Sequence, residues 1–256
     1  MKILKVCLLF FGLITATAQQ NDYIKISQDL LENIKNNKPV SDNIKTLENS
    51  TLKDLTDQLK TDDEKLVFWI NIYNAFIQVS LKENSEQYND DNRSDFFKKD
   101  RVNIAGEKIS FDDIEHGIIR SSMSKVSMGY VKKIFRPEWE RKLRVENIDW
   151  RIHFALNCGA KSCPPVAIYK VQNLNKQLDY MTETYLKEQT KYIPETKTAE
   201  TVVLFSWFRG DFGGLDEAKK ILKEYKVTPE TPENLEFKAY DWTMLLDNFR
   251  TLPDFK

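Results

Sequence analysis

Along the first quarter of the chain, apolar residues recur at intervals of three and four. "YIKISQDLLENIK" from Tyr23 and "TLKDLTDQL" from Thr51 both carry this period, which predicts charged amphipathic helices packed over the body of a domain. "DEKLVFWINIYNAFIQVSLKEN" differs, because apolar side chains surround nearly its whole circumference and a buried central helix is therefore predicted near residues 63–82. Asp62 and Asp63 stand where they would cap it and favour its positive end. Asn71, Asn74 and Gln78 interrupt the cylinder at spacings of three and four, stacking three amides on one face. Buried amides need partners, either loop backbone and water or a ligand in a polar cleft that they line.

Further on the period changes. Residues 84–100 are polar and read as a loop with a short helix, and "RVNIAGEKIS" as a hairpin turning at Ala105-Gly106. "SFDDIEHGIIRSSM" reads as a helix capped by Ser110 with Asp112 and Asp113 in its first turn, and Pro137 opens another in "RPEWERKLRVEN". The alternating segment "WRIHFALN" predicts a central strand. Helix, strand, helix and strand then follow in "NLNKQLDYMTETYLKEQTK", "TVVLFSWF", "GLDEAKKILKEY" and "LEFKAYDW". Strands scattered among many helices predict an α+β fold: a single helix-rich domain, residues 19–256, around a small sheet that is mainly antiparallel or mixed.

The first eighteen residues fall outside these patterns. Lys2 and Lys5 precede an apolar run from Val6 to Ile14 and the small-residue motif Ala16-Thr17-Ala18. This is the pattern of a secretory signal peptide, since the run is too short to span a bilayer. Cys7 sits inside the run and not at the cleavage point, which argues against a lipid anchor. The mature protein is expected to be secreted or periplasmic, with no membrane span. Thirty-eight basic residues against thirty-nine acidic ones leave no excess of cations, so nucleic acid is not expected as a partner. A small-molecule or peptide ligand is.

Chemistry concentrates in "IHFALNCGAKSCPP". His153, Cys158 and Cys163 lie within eleven positions, although the chain has two histidines and three cysteines in all. If the segment is extended, His153 and Cys158 are roughly 17 Å apart and meet only through a reversal, which Gly159 permits. Four readings stay open. A Cys158–Cys163 disulfide suits an oxidising compartment. A cysteine nucleophile served by His153 is the enzymatic reading, with N–H groups near Gly159 and Ala160 as oxyanion donors. Thiol-disulfide exchange is a third, although the spacing departs from CxxC. Zinc is a fourth: His116, His153, Cys158 and Cys163 are a tetrahedral set by type and number, although no metal or other cofactor is expected.

A third cluster is "FSWFRGDFGGL", where Gly210, Gly213 and Gly214 bend the backbone beside Trp207, Arg209 and Asp211. Asp211 either caps the following helix and pairs with Arg209, or orients His153 as the third member of a triad.

"FWINIYNAF", "ISFDDIEHGIIR", "IHFALNCGAKSCPP" and "FSWFRGDFG", in this order from Phe68 to Gly214, resemble the family called domain of unknown function 547. That family occurs in exported bacterial proteins and, joined to other segments, in plants. The resemblance implies that Asn71, Asn74, Glu115, His116, His153, Cys158, Cys163 and Asp211 meet around one pocket, and it assigns none of them a catalytic role. A helix ahead of a histidine-bearing strand is also similar to papain-like and transglutaminase-like enzymes, in which the cysteine precedes the histidine. The expected function is cysteine- and histidine-dependent hydrolysis or acyl transfer. Cys158 or Cys163 would be the nucleophile, His153 the base and Asp211 or Glu115 its orienter, with Asn71, Asn74, His116, Trp207 and Arg209 as binding residues. A non-catalytic binding or scaffold domain and a zinc-holding domain are the alternatives.

Overall fold

The structure is a computed structural model that describes residues 22–255, so the leader pattern at 1–18 lies outside the described residues. Four helices open the fold: α1 (Tyr23–Lys35), α2 (Ser41–Glu48), α3 (Leu52–Gln58) and α4 (Asp62–Glu83). α4 is the predicted central helix, and its side chains from Lys65 to Gln78 are all buried. Its cap differs from the expectation. Thr61 Oγ1 accepts from Glu64 N while the Glu64 carboxylate accepts from Thr61 N, a reciprocal capping box. Asp62 instead accepts from the backbone of Glu146 and Asn147. One carboxylate thus ties a distant loop to the helix start.

α5 (Arg93–Lys98) leads into the hairpin β1 (Asp100–Ile104) and β2 (Glu107–Ser110), antiparallel as read. Residues 113–119 then wind as a π-helix, with Arg120 N donating to Glu115 O and Ser122 N to Gly117 O. Ser110 Oγ accepts from Asp113 N, so the predicted cap is present although the helix is wider than the period implied. α6 (Glu138–Leu143) and α7 (Leu174–Gln189) follow. The C-terminal part holds β3 (Lys191–Ile193), β4 (Thr198–Thr201), α8 (Leu204–Trp207), α9 (Leu215–Glu224) and β5 (Asn234–Phe237). β4 pairs antiparallel with β3 and parallel with β5. The fold is α+β, with two small sheets where one was expected.

Two predicted strands are corrected. "WRIHFALN" is a 3₁₀ turn over Trp150–Phe154 that Asp149 caps by accepting from Arg151 N. Every residue from Ile152 to Asn157 is buried, so alternation in polarity does not become alternation in exposure. "TVVLFSWF" belongs to a sheet only through Thr201 and then coils into α8, because a short apolar run suits a buried helical turn as well as a strand. Both corrections move the chemistry. His153 and Trp207 leave short helical turns, which aim side chains in several directions over few residues.

Candidate functional site

The amides of Asn71 and Asn74 on α4 are spent on backbone, and Gln78 spends its oxygen there while its Nε2 is buried without a partner among the described residues. Asn71 donates to Tyr169 O and accepts from Tyr169 N, Asn74 donates to Ala155 O and accepts from Asn157 N, and Gln78 accepts from Asp247 N. Asn74 braces the irregular segment that carries His153 and the cysteines, Asn71 the stretch that follows it and Gln78 the C-terminal stretch at Asp247, and all three are absent from the wall of the adjacent cavity. Asn71 and Asn74 are therefore not ligand-lining residues. Asn74 holds the loop that is.

That cavity, about 350 Å³, is walled by Glu115 and His116 from the π-helix, His153 and Cys158 from the braced segment, and Trp207 and Tyr240 from the C-terminal part, among others. Behind His153 lies a buried ionic network. Asp211 Oδ2 accepts from Arg120 Nε at 2.6 Å and from His153 Nε2 at 2.8 Å, and Asp211 Oδ1 accepts from Arg120 Nη2 at 3.1 Å. The side chains of Arg120 and Asp211 have no exposed surface. Arg120 Nη1 donates to His116 Nδ1 at 2.8 Å. Two glycines make room: a Cβ on Gly129 would stand 2.3 Å from Asp211 Oδ1, and one on Gly210 would meet the backbone of Gly129 at 2.5 Å. Asp211 thus orients His153. It neither caps α9, whose N-cap Gly214 has no side-chain bond, nor pairs with Arg209, whose Nε donates to Ser206 O. Arg209 lies outside the cavity wall, and Trp207 within it.

The protonation states follow. Burial opposes ionisation of Asp211, but hydrogen bonds from His153 and Arg120 outweigh it and hold the carboxyl at about 2. Burial lowers the pKa of His153 against the pull of Asp211, and burial with Arg120 lowers that of His116 further. Both imidazoles are neutral at pH 7. A carboxylate can only accept, so His153 carries its proton on Nε2 and keeps a basic Nδ1. Arg120 can only donate, so His116 carries its proton on Nε2, 3.8 Å from Asp112. The ring of His153 also stacks on Phe208 at 4.0 Å, which fixes its plane. Glu115 accepts from the Tyr73 hydroxyl at 3.3 Å, and burial raises its carboxyl to about 7.

The sulfurs have other company. Cys158 N donates to Cys163 Sγ at 3.0 Å, and the Tyr240 hydroxyl lies 3.4 Å from Cys158 Sγ and 3.1 Å from Cys163 Sγ. The Tyr88 hydroxyl approaches Cys158 Sγ at 3.9 Å. Both cysteines are free thiols, Cys158 half-buried and Cys163 buried, so the staple is not formed. A hydrogen bond from Cys163, helped by Tyr240 and the Ala160 backbone, lowers Cys158 to about 7 against burial. Burial, and the bond it gives to Cys158, push Cys163 up. Among the described residues no hydrogen bond joins either sulfur to His153, and no group of three His, Cys, Asp or Glu could hold a metal ion. The zinc set His116, His153, Cys158 and Cys163 does not converge, since Arg120 and Asp211 engage the imidazoles. The predicted oxyanion donors are spent as well: Gly159 N donates to Asn157 Oδ1, and the Ala160 backbone serves the sulfur.

Sequence reasoning missed Arg120, Tyr240, Tyr73 and Tyr88. Arg120 had a signal, four residues after His116 on one helix. Tyr240 had none, being 77 residues from Cys163 along the chain.

A family model described as "Protein of unknown function, DUF547" matches residues 56–186, just over half of the chain. The matched stretch holds Glu115, His116, His153, Cys158 and Cys163 and stops before Trp207, Asp211 and Tyr240. Nothing matches among curated proteins or among solved structures.

Proposed function

The chain belongs to this DUF547 family, and since the family description assigns no activity, we propose from the site itself that the protein is a cysteine-dependent hydrolase or acyltransferase. The observation that carries the proposal is one half-buried thiol on a cavity wall, with hydroxyl and thiol donors on its sulfur and a carboxylate-held imidazole on the same wall. Donors around sulfur favour the thiolate without an imidazole partner, so Cys158 is the nucleophile, with the Cys163 thiol and the Tyr240 hydroxyl as donors to it.

The Cys158 thiolate attacks an acyl carbonyl, the Tyr240 hydroxyl faces the developing oxyanion, and the leaving group departs with a proton from Glu115, the acid held near neutrality. His153, with basic Nδ1 and its other nitrogen on Asp211, then takes a proton from the water or acceptor that cleaves the thioester. Trp207, Trp242 and Phe97 on the wall suit an acyl or peptide portion with apolar or aromatic character. Export, read from residues 1–18, belongs to the same proposal.

The test is intact-mass analysis of the chain after incubation with a panel of activated thioesters and p-nitrophenyl esters of increasing acyl length. An acyl adduct on the wild type, absent from Cys158→Ser and slow to clear from His153→Gln, is expected. No adduct with any member, or an adduct that survives Cys158→Ser, contradicts the proposal. The aromatic wall also favours a second reading, a non-catalytic binding pocket. It is supported if apolar esters raise the melting temperature without forming any adduct.

A further inference from the structure

Among the described residues, six of the nine exposed large hydrophobic residues lie in one short segment, residues 126–135. Val126 and Ile134 are 88% exposed and Phe135 is 89%, with Tyr130 and Val131 at 60%. The segment is built, not slack. Ser124 N donates to Val131 O at 2.8 Å and Lys133 N to Ser122 O at 2.7 Å, an isolated antiparallel bridge closes its base, and Gly210 N pins Met128 O at 2.8 Å.

Between Ser124 and Pro137 the chain has four cations and no carboxylate. Lys125 and Lys133 are paired with Asp112 and Glu140. Lys132 bonds only the Ser121 hydroxyl and Arg136 only the Lys133 carbonyl, so neither charge flanking Ile134 and Phe135 has an ion-pair partner among the described residues, Glu146 acting on Lys132 only from a distance. Burial first, and then the nearby Arg144 and Arg136, lower the Lys132 pKa against the opposing pull of Glu146.

We propose that segment 125–136 is a docking loop for an anionic phospholipid surface, with Val131, Ile134 and Phe135 entering the headgroup boundary and Lys132 and Arg136 meeting lipid phosphates. Side chains almost fully exposed on a convex loop bury little against a rigid flat partner but sink readily into a penetrable medium. The free cations at their margin give the charge complement. Among the described residues no helix is long and apolar enough to cross a membrane, so the contact is peripheral. Thiol chemistry plays no part in it.

The test is co-sedimentation of the full chain with vesicles of phosphatidylcholine alone or mixed with phosphatidylglycerol, at low and high salt. All variants keep the same N-terminus, so differences among them report on the loop. Wild-type chain is expected to prefer the anionic vesicles and to lose that preference in high salt. Ile134→Ser with Phe135→Ser is expected to weaken binding about tenfold. Lys132→Gln with Arg136→Gln should weaken it about tenfold at low salt and little at high salt. The four side chains are exposed or bonded only locally, so melting temperatures should hold. Equal binding by all three chains, no preference for anionic vesicles, or no binding at all overturns the proposal. Self-association that Ile134→Ser with Phe135→Ser abolishes, without any vesicle difference, overturns it too and gives the loop to a second copy.

Discussion

Two sets of buried polar residues sit within this one domain and do opposite things. Asn71 and Asn74 of α4 face irregular backbone and are consumed by it, whereas His116, Arg120, His153 and Asp211 bond one another at the edge of a cavity. An amide meeting a peptide group completes a loop's hydrogen bonding and stops there. Side chains meeting side chains leave nitrogens and charges whose states depend on one another, which is what a reacting group needs. What a buried polar residue bonds, more than its type, separates scaffold from site.

The sharpest way to break this comparison is Asp211→Asn. It leaves Arg120 charged, buried and without its carboxylate, and about 4 kcal/mol of unfolding free energy should be lost in urea titration. A loss under about 1 kcal/mol would mean that the network is wet. Asn71→Ala removes the acceptor of the Tyr169 N–H and one of the two donors on its carbonyl, leaving Gln28 as the other, and should cost about 2 kcal/mol, while the rate of Cys158 alkylation stays unchanged. If that rate moved with stability, scaffold and site would not be separable.

Glu115→Gln sharpens the cavity side. In the native chain Glu115 stays protonated up to about 7, whereas the unfolded chain ionises it near 4.5, so the wild type loses stability as pH rises through that window. Glutamine does not ionise, and the variant should gain about 2 kcal/mol on the wild type between pH 5 and pH 9, read from thermal melts. The smallest expected effect comes from the imidazoles. Both have native pKa values below 6.5, so the unfolded chain takes their protons first and stability falls as pH drops below about 6.5. The slope reaches at most about 1.4 kcal/mol per pH unit for each histidine. His116→Gln should halve it, and an unchanged slope would place the titration elsewhere.

Much of this was legible in the sequence, and the failures have physical causes. α4 was plain because apolar residues run around its whole surface, and the family resemblance because three blocks between Phe68 and Pro165 fall in order within the matched stretch, the fourth, at 205–213, lying beyond it. The shape of the site was not. "WRIHFALN" alternates as a strand does, yet it pairs with no strand among the described residues and is buried on both alternating sets of side chains from Ile152 to Asn157. Asp211 reads as a cap by base rates, and only tertiary contact with Arg120 and His153 gives it another partner. Tyr240, which touches both sulfurs, falls in the predicted strand "LEFKAYDW", but β5 ends at Phe237 and Tyr240 stands on the irregular stretch beyond it.

The central claim is that Cys158 is an activated thiol at neutral pH, and the rate of its alkylation by iodoacetamide as a function of pH, followed by peptide mass mapping, tests it most directly. A midpoint near 7 on Cys158, shifted upward by Tyr240→Phe and with Cys163 slow throughout, is expected. A midpoint at about 8.5 or above, the range of an ordinary thiol, or preferential reaction at Cys163, would contradict it.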